Sequence, residues 1–299
     1  MPELPEVETI RRHLAPHVEG RTLERLEILD PRWSRPLAPR ELADALEGRT
    51  SERLGRRGKY LIWELSGEAY LLVHLRMTGN LLIDPADPPH NRVWFELGDH
   101  RLAFTDPRRF GTGELALGED GLDAFLDGRL GVEPLEEGFT AEHLHGLARR
   151  SRAPIKAFLL DQKRVAGVGN IYADEALYRA RIHPLRPANR LTRAQCAALR
   201  DAVVASLEAG IEAKGATIDD FRDPYGVSGT FQDQFLIHLR EGQGCPNCGR
   251  TVRKLRAAGR GTYVCESCQV RPRLRRTRPA GRHGQPPPAP GSRRSTPRR

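Results

Sequence analysis

The chain opens Met1-Pro2-Glu3-Leu4-Pro5-Glu6, and removal of Met1 would leave a secondary amine beside a carboxylate. That places a nucleophile and an acid in adjacent residues. An α-amino group titrates at roughly 7.7 to 8.0 against about 10.4 for lysine, so near neutral pH far more of it is the free base that can attack an electrophilic carbon. Attack by a proline amine gives an iminium, which is an electron sink. Proline in second place is common, so its weight depends on what stands with it.

Four cysteines stand with it. Cys245, Cys248, Cys265 and Cys268 form two C-x2-C pairs separated by sixteen residues, with Gly249, Arg260 and Gly261 between, which suits two knuckles joined by a β-hairpin. Zinc holds four thiolates tetrahedrally at such spacing, and four protein ligands leave no open position for water, so the expected role is structural. Two disulfides are the alternative. A chain of 299 residues without a secretory hydrophobic region reads as cytosolic, where thiols stay reduced, and this favours the metal. Cys196 stands apart on an amphipathic helix that Thr192 and Gln195 would open as a capping box.

The net charge of +9 suggests a nucleic-acid partner, and its distribution sharpens the suggestion. Residues 1–140 carry 18 Lys and Arg against 26 Asp and Glu, residues 141–268 carry 20 against 13, and residues 269–299 carry ten Arg and no acid. The last stretch is rich in Arg, Pro and Gly without a hydrophobic period, and is expected to be a disordered basic tail over 270–299. No run of about 18 or more apolar residues could span a membrane.

These groups need elements to hold them. Leu4, Val7, Ile10 and Leu14 predict a helix starting near Pro5, whose missing N–H costs nothing in a first turn and whose positive end would disfavour protonation of a nearby amine. Apolar runs at 60–65, 70–77, 93–97 and 101–105, separated by tight turns, predict antiparallel strands and hence a sandwich or barrel. From residue 120 the period becomes helical, over 121–126, 141–150, 154–162, 170–180 and 191–213, with 228–239 leading into the cysteine hairpin. The domain plan is thus 1–130, a linker at 131–139, a helical domain at 140–234 and the metal hairpin at 235–269.

Met1 to Glu8, Arg57-Gly58-Lys59-Tyr60-Leu61, Thr105-Asp106-Pro107-Arg108-Arg109-Phe110-Gly111, Gly167-Val168-Gly169-Asn170-Ile171-Tyr172 and the four-cysteine hairpin occur in one order. Together they resemble the formamidopyrimidine-DNA glycosylases of the MutM type, from Met1 to about Gln269. The resemblance implies an α+β multidomain enzyme: an N-terminal antiparallel β-sandwich with flanking helices, then a helix-two-turns-helix domain with a zinc β-hairpin. It implies that Pro2 attacks C1′ of a damaged nucleotide, that Glu3 shuttles protons with Glu6 in support, and that Lys59 transfers protons. Arg56 and Arg57 are expected to lower the pKa of Lys59. Met77, Arg108 and Phe110 would fill the space of an extruded base, whose removal from the stack costs a few kcal/mol. Asn170 and Arg260 would clamp a phosphate, with His90 and Arg150 as further DNA contacts.

Some residues depart from the resembled pattern. Arg76 stands where glycine is frequent, His238-Leu239 where Tyr-Gly is usual, and Gly244 where proline is usual, which puts hairpin geometry in question. The loop at 219–230 resembles the purine-type capping loop. The resemblance therefore implies a monomeric base-excision-repair glycosylase and AP lyase acting on double-stranded DNA that carries 8-oxoguanine, formamidopyrimidines or abasic sites, with one structural Zn2+, in the cytoplasm at the nucleoid. The alternatives are an endonuclease VIII type acting on oxidised pyrimidines, or a noncatalytic zinc-dependent binder of damaged DNA.

Overall fold

A computed structural model describes residues 1–218 and 220–271, so the expected tail lies outside the described residues beyond Arg271. Helix α1 (Leu4–Val18) forms where Leu4, Val7, Ile10, Leu14 and Val18 recur at three- and four-residue spacing. All five are at most 1% exposed, and burial of each contributes roughly 1.5–3 kcal/mol. Val7, Ile10 and Leu14 enter the core of the first half of the chain, whereas Leu4 enters the core of the helical half. The first turn of α1 is therefore packed between two cores.

After α1 come β1 (Arg25–Ile28), α2 (Pro39–Leu46), β2 (Ser51–Arg57), β3 (Tyr60–Leu65), β4 (Ala69–His74), β5 (Asn80–Ile83), β6 (Asn91–Leu97), β7 (His100–Thr105) and β8 (Thr112–Leu117). They build two antiparallel sheets, ordered β1-β6-β7-β5 and β2-β3-β4-β8. Leu61, Trp63 and Leu71 from one sheet share a core with Phe95, Leu102 and Phe104 from the other, which makes a sandwich. β4 reads as a continuous apolar run because both its faces are covered. Its outer residues Tyr70 and Leu72 pack with Phe125 of α3 (Gly118–Leu126).

The helical half consists of α4 (Ala141–Arg149), α5 (Ile155–Leu160), α6 (Asn170–Arg179) and α7 (Arg193–Glu212), followed by the hairpin of β9 (Arg253–Ala257) and β10 (Arg260–Val264). The capping box at α7 is present: the Gln195 N–H donates to Thr192 Oγ1 and the Thr192 N–H to Gln195 Oε1, both at 3.2 Å. Several expectations need correction. The strand expected over 70–77 ends at His74, because Arg76 takes a φ of +55° and carries Met77 into a turn. The helix expected over 154–162 is trimmed at both ends: Pro154 precedes its first turn, and Asp161 leaves the helix and accepts from the Lys163 N–H at 3.1 Å. The strands β1, β2, β5 and β8 and the helix α2 have no counterpart among the sequence expectations. β2 reads Ser-Glu-Arg-Leu-Gly-Arg-Arg, too charged to show a strand period, and takes its order from pairing with β3.

One carboxylate ties the two halves together. Glu133, 2% exposed, accepts from Arg56 at 2.6 Å, from Arg57 at 2.8 Å and from the Gly58 N–H at 2.9 Å. Arg57 also donates to the Gly131 carbonyl at 2.7 Å. The turn between β2 and β3 is thereby held to the segment that follows α3.

Candidate active site and nucleic-acid cleft

The opening residues dock on the turn that precedes α6. The Leu4 N–H donates to the Gly167 carbonyl at 3.0 Å, and Gly167 has a φ of +81° that a side chain would strain. At Gly169 a Cβ would fall 2.2 Å from Glu3 Cδ, so only glycine lets the carboxylate reach the end of α6. There Glu3 Oε1 accepts from the Ile171 N–H at 3.1 Å, at the positive end of the helix. Glu3 Oε2 is buried and has no hydrogen-bond partner among the described residues. The Gly-Val-Gly turn thus seats a carboxylate of this chain.

Glu6 lies one turn further and is 1% exposed. Its Oε2 accepts from the Glu3 N–H, and its Oε1 from the Tyr172 hydroxyl and the Ala216 N–H, all at 2.8 Å. Burial, reinforced by the Glu3 charge, raises its pKa against these donors. Tyr172 and Ala216 were missed in the sequence, since nothing local marks residues that lie 166 and 210 positions from the carboxylate they reach.

Lys59 completes the turn between β2 and β3 and is buried. Desolvation is the main cause of its lowered pKa, opposed by Glu3 and assisted by Arg260. This corrects the expected cause: Arg56 and Arg57 are engaged with Glu133, and Arg56 also with Glu8 at 3.1 Å. His74 was also missed. Its Nδ1 accepts from the Arg76 N–H at 2.9 Å, and burial with Arg76 and Lys59 nearby pushes its pKa down to about 3, so it is neutral.

Two cavities meet at Met1. One of about 130 Å3 is lined by Glu6, Met77, Thr78, Arg108, Ile171, Ala216, Ile218 and Phe221. The other, about 500 Å3, takes Lys59, His74, Arg76, Met77, Phe110, Gln162, Gly169 and Arg260. Met77 and Phe110 are 37% and 51% exposed and both line the larger cavity. Asp106, fully buried, sets their geometry: it accepts from the Thr78 hydroxyl, from the Arg108 N–H at 3.1 Å and from the Phe110 and Gly111 N–H groups at 2.8 Å. The Arg108 guanidinium lies 5.0 Å from the Phe110 ring. His90 is exposed at the foot of this tip, where its carbonyl accepts from the Asp106 N–H at 3.0 Å. Arg150 is not brought in: it is exposed at the end of α4 and lines neither cavity.

Asn170 begins α6, and its Nδ2 donates to the Gly261 carbonyl at 3.2 Å, beside Arg260. Arg260 leaves a turn in which Ala258 and Gly259 both have positive φ, as a two-residue hairpin requires. Lys156, fully buried, donates to Asp174 at 2.6 Å, to Thr262 at 2.8 Å and to the Gly261 carbonyl at 3.2 Å. Asp174 accepts from His238 at 2.9 Å, so the departure at 238 is absorbed into the contact between α6 and the hairpin. Leu239 has a φ of +58°, the conformation that makes glycine usual there.

The four hairpin sulfurs lie within 4.8 Å of one another, with Cys245 to Cys268 at 3.8 Å and Cys248 to Cys265 at 3.5 Å. Tetrahedral Zn–S bonds of about 2.3 Å put sulfurs at roughly this separation. The residues therefore fit one metal ion. No helix among the described residues is long and apolar enough to cross a membrane.

A carboxylate pair and a desolvated lysine thus lie beside a cleft with exposed apolar tips and cations, groups suited to proton transfer on a bound anionic chain. Models of the formamidopyrimidine-DNA glycosylase N-terminal domain, of its H2TH domain and of the zinc finger found in FPG and IleRS match residues 1–113, 130–222 and 242–270. The formamidopyrimidine-DNA glycosylase of Roseiflexus sp. (strain RS-1) is 46% identical over 276 residues, covering 90% of this chain and 100% of that protein. The crystal structure of MutM (Fpg) from Thermus thermophilus is 43% identical with a TM-score of 0.82, covering 90% of this chain and 98% of that one. A Lactococcus lactis FPG mutant in complex with DNA containing Fapy-dG is 35% identical with a TM-score of 0.85, covering 90% and 100%. Other solved complexes of the Lactococcus enzyme hold DNA with an abasic site or an oxidised pyrimidine.

The chain belongs to the formamidopyrimidine-DNA glycosylase family, and it is a DNA glycosylase of DNA repair.

Proposed function

We propose that the protein is a bifunctional glycosylase and AP lyase that removes oxidised purines, 8-oxoguanine and formamidopyrimidines first, with Pro2 as nucleophile. The observation that carries this reading is the placement of Pro2 between Met1, which lines both cavities, and Glu3, whose Oε2 is buried without a partner among the described residues. Once Met1 is removed, the Pro2 nitrogen attacks C1′ and the base leaves with its bonding pair, taking up a proton. Glu3 is placed to exchange protons at the opening sugar. The ring O4′ then leaves C1′ and takes up a proton, giving the iminium, which acidifies the C2′ hydrogen; loss of that hydrogen expels the 3′ phosphate, and loss of the C4′ hydrogen from the conjugated product then expels the 5′ phosphate. Lys59, with its pKa lowered by burial, has more free base at neutral pH than an exposed lysine and is the proton carrier of this reading.

Met77, Arg108 and Phe110 fill the space vacated by the extruded nucleotide, and Asn170 and Arg260 grip its phosphate, with His90 and Arg150 as outer contacts. The enzyme acts as a monomer at the nucleoid, and the linker at 131–139 separates its two DNA-binding halves. The Lactococcus complex with an oxidised pyrimidine favours pyrimidine lesions as a second substrate class.

Borohydride trapping on duplex DNA containing 8-oxoguanine opposite cytosine tests the chemistry. A covalent adduct that is lost in Pro2→Gly is the expected result. No adduct from Met1-processed, metal-loaded protein on purine, pyrimidine or abasic DNA would refute it.

A further inference from the structure

The wall of the smaller cavity belongs to a segment that runs the length of α1. Ala216, Ile218 and Phe221 line that cavity beside Glu6, yet they follow α7 and are offered by the helical half. The segment is fastened at its start, where the Ala216 N–H donates to Glu6 at 2.8 Å, and again where Phe221 enters the sandwich core. The Asn80 side chain donates to the Asp220 carbonyl at 3.0 Å, and the Ile83 N–H, on the free edge of β5, donates to the Pro224 carbonyl at 3.0 Å.

Its far end meets the last turn of α1. Tyr225 Oη lies 2.8 Å from His17 Nε2, His17 Nδ1 lies 3.3 Å from His100 Nε2, and His100 Nδ1 lies 2.8 Å from Asp84 Oδ2. With both rings neutral, a single proton placement satisfies every contact. The Tyr225 hydroxyl donates to His17, the other His17 nitrogen donates to His100, and His100 donates to Asp84. Two residues before Tyr225, the Asp223 carboxylate accepts from the Tyr225 N–H at 3.0 Å and the Val227 N–H at 2.8 Å, and sits 3.3 Å from His13. Tyr225, His17 and His100 line neither cavity, so a role for them must pass through the segment.

We infer that the Tyr225–His17–His100–Asp84 relay holds Ala216, Ile218 and Phe221 as a fixed wall of the smaller cavity, which receives the extruded base, and that its members are positioning residues for base excision. The inference rests on the glycosylase and lyase reading above. A wall over the base matters only while a base is attached. Cleavage at a preformed abasic site therefore does not need the relay, whereas excision of a damaged base does.

Tyr225→Phe removes only the hydroxyl, and His100→Leu breaks the relay at a residue that contacts the last turn of α1 and lines neither cavity. Each is expected to slow single-turnover excision of 8-oxoguanine about tenfold, as loss of one to two hydrogen-bonding contacts would. The double variant should be no slower than either single one, because both cut the same chain of contacts. Strand cleavage at an abasic site and affinity for abasic DNA should stay at the wild-type level. In the free protein, hydrogen exchange at the Tyr225 and Val227 amides should accelerate in both variants. Unchanged exchange overturns the relay whatever the activity, and so does an equal loss on base-containing and abasic DNA. Faster exchange in the variants together with wild type that neither excises a base nor cleaves at abasic sites would instead overturn the glycosylase and lyase reading.

Discussion

Glu3, Glu6, Lys59 and His74 are ionisable side chains that the fold has stripped of most of their water. Burial raises Glu6 and lowers Lys59 and His74, which moves the carboxyl and the lysine toward the range where protons exchange near neutral pH. For His74 the consequence can be read as stability. Below the ordinary value of 6.5 the unfolded chain binds a proton that the folded chain refuses until about pH 3, so stability present above pH 6.5 is lost as the pH falls through that window. His74→Gln keeps an acceptor for the Arg76 N–H and removes the titration. It should flatten the fall in unfolding free energy between about pH 7 and pH 4 by roughly 2–4 kcal/mol, read from denaturant midpoints across that range. An unchanged slope would mean that His74 is hydrated in solution. Arg76 itself accepts a left-handed backbone, a strain of about 1–2 kcal/mol that glycine would avoid, and its side chain reaches the larger cavity in return.

Helix α6 is the element on which the site is hung. Its first N–H groups face Glu3, its Asn170 and Asp174 hold the hairpin, and its Glu175 accepts from the N–H groups of Leu236, Ile237 and His238 at 2.9 to 3.0 Å. Lys156 neutralises Asp174 where both are buried. Lys156→Met leaves that buried carboxylate with His238 but without its lysine counter-charge and should cost about 3–5 kcal/mol, seen as a lower thermal midpoint; the double variant with Asp174→Asn should recover part of it. Should Lys156→Met leave the midpoint unchanged, the pair does not anchor the hairpin. The metal acts on the same element from outside. Cys268→Ser should weaken binding to abasic DNA at fixed salt by loosening the turn that carries Arg260, and unchanged affinity would separate the metal from the DNA grip.

At the scale of the whole molecule, charge and the joint between the halves are separate devices. The chain is acidic over residues 1–140 and basic over 141–268, and the ten arginines beyond residue 268 provide the remaining excess. Truncation after Gln269 should lower affinity for undamaged DNA and reduce the slope of log affinity against log salt, while single-turnover excision stays near wild type. A slope that does not move would make the tail idle. Glu133 is one of the ties between the two halves, and it holds Arg56, Arg57 and the Gly58 N–H at once. Glu133→Gln should disturb that grip and with it the placement of Lys59, raising KM for DNA more than it lowers kcat; an equal effect on both would place the loss in the chemistry.

Local spacing carried much of this protein. The capping box of α7, the period of α1, the thiolate knuckles and the antiparallel pairing of β3 with β4 and β6 with β7 were legible because each depends on residues near one another in the chain. The elements that escaped, β1, β2, β5, β8 and α2, are short or charged and owe their order to partners far away in sequence. The site divides in the same way. Pro2, Glu3 and the cysteines stand out by residue type, whereas Tyr172, Ala216, Glu133 and the His17–His100 contact become visible only when distant segments meet. Only the tertiary structure could show that the Gly167-Val168-Gly169 turn seats Glu3, and that Lys59 owes its lowered pKa first to burial, because desolvation and close approach belong to space and have no period along a chain.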